Sequence, residues 1–315
     1  MVSLNKGSES PSFRREFSDA VGLSLSGIFS AHISIHPHNK GSIAVEADGN
    51  KSFIDALNFE YNRGVLSINA QNVIKHAIVS GGDVSIANGT IIQGSLIIQG
   101  ISMKGNDMII TQCSDDEENE LKIYVPSYTN LELDVSDSFT IGNVEGPCSL
   151  IMKGSSRGKI GKITNLKINA FGSSKVTVEE INGVLSVNGQ GSSRVRIKEG
   201  VAFKTNISLS GNSTFIFDGK VQKDTIINLQ GSSKADIEEL LNLKIKQSGS
   251  SRSNIYNMCG HLDINLSGSC VSKIFDGEIS EVTLKSSGSS RMTVVALVQK
   301  AKGRMSGSSR TRFKN

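Results

Sequence analysis

Seven basic residues recur down the second half of the chain at one fixed place behind a glycine. Arg157, Lys175, Arg194, Lys234, Arg252, Arg291 and Arg310 each close a Gly-Ser-Ser-Arg or Gly-Ser-Ser-Lys quartet. Two worn copies, Gly211-Asn212-Ser213-Thr214 and Gly268-Ser269-Cys270-Val271, carry Thr and Val at that place. The glycines run from Gly154 to Gly307 at spacings of 18, 19, 20, 20, 18, 19, 20 and 19 residues. Cations stacked in such a ladder could hold a repeating polyanion such as an acidic polysaccharide, with affinity falling as salt rises. The more ordinary use of exposed charge is to splay into water and discourage sideways strand pairing.

Other residues with chemical potential are less ordered. His32, His36 and His38 alternate on one segment, but Pro37 interrupts it and no acid or Cys stands beside them, so no metal site is expected. Asp236, Glu238 and Glu239 form one local acidic cluster that neighbouring repeats do not copy, so no catalytic residues and no cofactor are expected. The acidic run at 114–120 lacks the spaced ligands of a calcium loop and reads as a solvated loop. Cys113, Cys148, Cys259 and Cys270 make no CxxC pair and read as free thiols.

The elements that must carry the ladder follow from the phase of the repeat. Six residues after the glycines stand Ile160, Val178, Ile197, Phe217, Ile237, Ile255, Ile274, Val294 and Phe313. Four residues before the next glycine stand Ile168, Val187, Ile207, Ile227, Ile245, Ile264 and Leu284, with Gly303 the exception. Leu166, Leu185, Leu243, Leu262 and Val282 lie two residues earlier, with Thr205 and Thr225 in the same column. Each repeat thus holds two short strands with inward residues at alternate positions. A period near 19 is too short for helical repeats, and it predicts an all-β parallel β-helix, a solenoid of ~19-residue coils. Glycine allows a tight corner, and the serines after it can bond to corner backbone or to the next coil. The second position after glycine is Ser in eight copies and Cys270 in the ninth, which predicts a cramped, buried site.

Residues 1–16 read as a disordered tail. Residues 17–135 read as an N-terminal β region continuous with the solenoid, with an irregular insertion at 71–120, and residues 136–315 as the regular coils. Ser136-Asp137-Ser138-Phe139 reads as a degenerate first copy of the repeat. With 32 Gly, 4 Pro and no Trp, the composition suits short strands and tight turns. The net charge of +4 is small for 315 residues, and few aromatics are present to stack bases, so no nucleic acid is expected. No apolar run approaches the ~20 residues of a membrane span. No signal peptide is visible, which points to the cytoplasm.

The chain resembles the GIN head domain of putative auto-transporter adhesins. The resemblance rests on 27–35 (GIFSAHISI), 43–48 (IAVEAD), 64–68 (GVLSI), 121–126 (LKIYVP) and 131–136 (LELDVS), leading into the Gly-Ser-Ser coils. It implies a β-helix and a secreted or cell-surface place, and it supplies no catalytic residues. The expectation is a non-enzymatic, adhesin-like surface that binds an acidic glycan or a protein partner. The alternatives are an intracellular scaffold with no small ligand and a polysaccharide-active enzyme. Lys300, Lys302, Arg304, Arg310, Arg312 and Lys314 crowd the last coil, where self-association is a further expectation.

Overall fold

The computed structural model describes residues 12–28, 31–70, 77–79, 85–86, 101–102, 108–110 and 119–313. The acidic run at 114–118 and Cys113 lie outside the described residues, as does most of the expected insertion.

The molecule is nearly all β, and its body is a solenoid of about 10 turns spaced ~19 residues apart. Each turn contributes to two parallel walls. In the regular part both walls are drawn from one long bent strand per turn, such as Lys175–Gly189, Arg194–Leu209 and Thr214–Leu229. The first wall stacks Ile160 on Val178, Ile197, Phe217, Ile237, Ile255, Ile274, Val294 and Phe313 in unbroken register. The second wall stacks Leu150 on Ile168, Val187, Ile207, Ile227, Ile245, Ile264, Leu284 and Gly303. From Ile160 to Val294 the first column is buried, and only Phe313, on the last described turn, is exposed. Each buried side chain of this kind contributes roughly 1.5–3 kcal/mol relative to exposure.

The glycine corner is shaped by contact with the turn beside it. Gly191 has φ +80°, and a Cβ there would lie 2.7 Å from the carbonyl oxygen of Gly172. Only glycine meets both demands without strain. The corners pair directly: Ser192 N donates to Gly172 O at 2.7 Å and Asn212 N to Gly191 O at 2.7 Å. The second position after glycine is buried at Ser156, Ser174, Ser193, Ser213, Ser233, Ser251, Cys270 and Ser290. On several turns its side chain closes the corner: Ser213 Oγ donates to Ser210 O at 2.8 Å, and Cys270 Sγ occupies the same bond to Ser267 O at 2.9 Å. Ser193 Oγ also donates to Ser213 Oγ of the next turn at 3.2 Å.

The N-terminal region is continuous with the solenoid. Gly22–Ile28 and Ala31–His38 form one turn, on which Asn130–Val135 and Ser138–Ile141 stack in parallel. On its other side Val65–Ala70 pairs in parallel with Gly22–Ile28, and Asn119–Pro126 with Ala31–His38; beyond those two strands the pairing becomes antiparallel. Leu57–Asn62 and Val65–Ala70 make a hairpin through Arg63 and Gly64, both at positive φ. Ser42–Asp48 lies antiparallel to Asn119–Pro126 and to Ser12–Ser18.

Three details differ from the sequence expectation. Ser12–Ser18 is a strand, so Ser12 to Glu16 do not belong to the expected tail, whose other residues lie outside the described residues. Phe13 and Phe17 both pack on Phe59, and Arg14 pairs with Glu46, so tertiary contacts order a polar segment. Lys51–Ala56 is a helix, capped by Asn50, whose side chain accepts from Phe53 N at 2.8 Å. Val135 pairs with Met152 and Ser138 with Arg157. Only Ser136 and Asp137 therefore span a corner that Lys153 to Ser156 span one turn later. The expected first copy is a tighter, glycine-free corner.

Candidate binding face

The basic residues form the column that their spacing predicts. Arg157, Lys175, Arg194, Thr214, Lys234, Arg252, Val271, Arg291 and Arg310 are register partners on successive turns of the first wall. Each follows the buried Ser or Cys of its corner, so alternation turns it outward. The five Arg and Lys175 are exposed, and Lys234 is half-buried.

A second basic column, missed in the sequence, lies two residues further along the same strands. It reads Lys159, Thr177, Arg196, Ile216, Asp236, Asn254, Lys273, Thr293 and Arg312. Its chemistry is uneven, which hides the period. The two columns together place eleven Arg or Lys beside a single acid, Asp236. That acid is taken by Lys234 and by Asn254, whose Nδ2 donates to it at 2.8 Å. Arg196 pairs with Asp218 at 2.8 Å. Among the described residues no ion pair closes on Lys175, Arg194, Arg252, Arg291 or Arg310. Like charges one turn apart, ~4.8 Å, repel by about 0.9 kcal/mol per pair in water. A bound polyanion would relieve that repulsion.

The next outward position on the same strands changes character along the solenoid. On the earlier turns it is charged: Glu179 pairs with Lys198 at 2.7 Å, and Asp218 and Glu238 follow. On the later turns it is Tyr256, Phe275 and Val295. The Tyr256 and Phe275 rings stack at 5.3 Å and 15°.

The second wall carries a groove of about 630 Å³ lined by Asp224, Asn242, Lys244, His261, Asp263 and Glu281, among others. Unequal corners make it. Two residues separate buried Leu240 from Leu243, whereas three separate Val221 from Thr225 and Met258 from Leu262. The short turn sits back between longer ones, and Asn242 bridges the step. Its Nδ2 donates to Asp224 Oδ1 at 3.3 Å, and its Oδ1 accepts from His261 N at 3.0 Å. Asn143 and Asn165 serve Lys162 N and Val184 N in the same way, so this is a corner device. The groove's carboxylates have partners. Lys302 lies 2.7 Å from Glu281 and, with Lys300 and His261, holds it below the usual carboxylate range. Lys244 lies 3.8 Å from Asp263.

The remaining candidates stay apart. His32 bonds Ser138, His36 stacks on Tyr124, and His38 accepts from Lys40 N. Glu239 is paired with Lys220. Among the described residues no three His, Cys, Asp or Glu are grouped to hold a metal ion. Cys148 and Cys270 are buried and Cys259 is half-buried, all three as free thiols. Burial pushes the Cys148 thiol up to about 12. No described helix is long and apolar enough to cross a membrane.

The sequence comparison falls on the later turns, which carry the apolar strip, the groove and the second part of the ladder. Residues 204–315 match the family described as putative auto-transporter adhesin, head GIN domain. The GIN match takes in the column from Thr214 to Arg310 and leaves Arg157, Lys175 and Arg194 outside. Over these turns it bears out the family resemblance, while the segments between 27 and 136 that suggested it lie outside the match, and it supports an adhesin-like role in coarse terms. No curated protein matches the chain. Solved structures similar to it include a putative adhesin of Parabacteroides merdae, at 13% identity over 98% of each chain with a TM-score of 0.44. A putative adhesin of Parabacteroides distasonis shares 13% identity over 96% of this chain and 98% of its own, at 0.41. A putative lipid binding protein of the same organism shares 14% over 96% and 97%, at 0.44.

Proposed function

We propose that the protein is a non-enzymatic, adhesin-like binding solenoid whose first wall holds a linear polyanion, an acidic polysaccharide, along its axis. The observation that carries this reading is the pair of outward columns, with eleven cations on one flat wall and a single acid among them. The fold does not require them, since Thr214 and Val271 occupy the same register without disturbing it. The non-enzymatic part is supported by three acids on or beside the face, Asp236, Asp218 and Glu179, which are committed to Lys234, Arg196 and Lys198.

The test is isothermal titration of the protein with heparin and with polygalacturonate at two ionic strengths. Binding should weaken steeply as salt is raised from 0.1 to 1 M, where the screening length contracts from ~10 to ~3 Å. Arg194→Ala with Arg252→Ala should weaken it roughly thirty- to 150-fold, from two charge-assisted contacts of about 1–1.5 kcal/mol each. Absence of binding to both polymers, or binding indifferent to the double substitution, would remove the proposal. Turnover of either polymer would overturn its non-enzymatic part.

A further inference from the structure

The outward position that follows the two basic columns offers an internal control. Glu179, Lys198, Asp218, Glu238, Tyr256, Phe275 and Val295 occupy it on seven successive turns. The first four show that charged side chains satisfy the fold there. The last three are large and apolar, yet Tyr256 is 44% exposed, Phe275 42% and Val295 41%. Leu297, 54% exposed and paired in register beside Glu278, extends the strip towards the corner. Folding therefore does not explain why these turns carry rings and aliphatic chains in water. Contiguous exposed apolar surface of this kind marks a contact site.

Its surroundings say what the contact is. Arg252, Lys273, Arg291 and Arg312 stand on the same wall, one and two outward positions back along the strands. Asp276, next to Phe275, accepts from Gly277 N at 2.7 Å and so is engaged by its own corner. A ligand lying across this wall meets cations along one edge and aromatic or aliphatic surface along the other. Polyphosphate answers only the first. A uronate chain answers both, because each sugar ring carries an anionic group and an apolar C–H surface.

We infer that the turns from Arg252 to Leu297 form a sugar-ring subsite, in which Tyr256, Phe275, Val295 and Leu297 pack against the rings of an acidic polysaccharide while Arg252, Lys273 and Arg291 pair with its carboxylates. The inference rests on the polyanion reading of the basic wall and names what gives that wall selectivity. The strip spans three turns, ~10 Å, the length of a short oligosaccharide.

The experiment compares wild type, Tyr256→Ala with Phe275→Ala, and the conservative Tyr256→Phe. The probes are polygalacturonate, polyphosphate of matched charge, and vesicles of phosphatidylglycerol and phosphatidylcholine in equal parts. Thermal melts confirm that the variants are folded. Wild type should prefer polygalacturonate to polyphosphate. The double variant should lose roughly tenfold affinity for polygalacturonate and keep its polyphosphate affinity, and Tyr256→Phe should bind as wild type. Equal binding of both polymers, or a double variant that binds polygalacturonate normally, would overturn the sugar-ring subsite and leave the polyanion wall standing. Sedimentation with the vesicles that depends on Tyr256 and Phe275, with polygalacturonate binding unaffected, would reassign the strip to a lipid surface. Failure of wild type to bind either polymer would overturn both readings.

Discussion

The two sides of the first wall are built from the same strands yet obey different constraints. The inward column from Ile160 to Val294 admits only apolar residues, because each must fill the space between two others. The outward column from Arg157 to Arg310 has no such neighbour above it, yet seven of its nine members are Arg or Lys. Packing explains the first regularity and not the second. A repeated cation that no packing demands, and that its neighbours repel, points to something outside the fold.

Substitutions on the two sides should separate stability from binding. Phe217→Ala, deep in the inward column, should cost about 3–5 kcal/mol in chemical denaturation, with polyanion affinity of the folded fraction unchanged. If affinity fell as far as stability, the two sides would not be independent. Gly211→Ala should cost about 1–3 kcal/mol, because the corner has φ +71° and the new Cβ would lie 2.6 Å from Gly191 O. Neutral stability there would mean that the corner can relax.

Cys148 tests the interior through its proton. Its thiol is held neutral up to about 12 in the folded protein, against 9.0 for the free group. Between those values the unfolded chain binds fewer protons than the folded one, so stability falls as pH rises, by about 1.4 kcal/mol per unit from this group. Denaturation of wild type and Cys148→Ala at pH 8 to 10.5 should show the steeper decline in wild type. Parallel slopes would contradict a buried thiol. The smallest effect on stability belongs to the outward side: Arg194→Ala with Arg252→Ala should move it by less than about 0.5 kcal/mol. A large loss there would make the ladder part of the fold after all.

Much of this was legible in the sequence because a solenoid repeats one local decision. Gly191, Ser193, Arg194 and Ile197 specify a corner, a buried hydroxyl, an outward charge and an inward chain, and the same order returns on later turns. What escaped the sequence depends on contacts between turns or on broken periods. Lys159, Arg196, Lys273 and Arg312 form a column, but Ile216 and Asp236 interrupt it. Tyr256 and Phe275 become a stacked pair only when the 19-residue register sets them side by side. The groove at His261 comes from a difference in corner length between neighbouring turns, which no single turn contains. Ser12–Ser18 resembles a tail until Phe59 and Glu46 stand beside it.

The glycine corner, in which each turn hangs its backbone on the turn before through one repeated bond, has a consequence for heredity. A whole turn can be duplicated or deleted without new contacts having to be invented, since both broken surfaces already match. Each such event would lengthen the protein by ~4.8 Å and change its valence for a polymeric ligand by about one charge. Reach and avidity could then drift together in small equal steps, as a gene gains or loses about nineteen codons at a time.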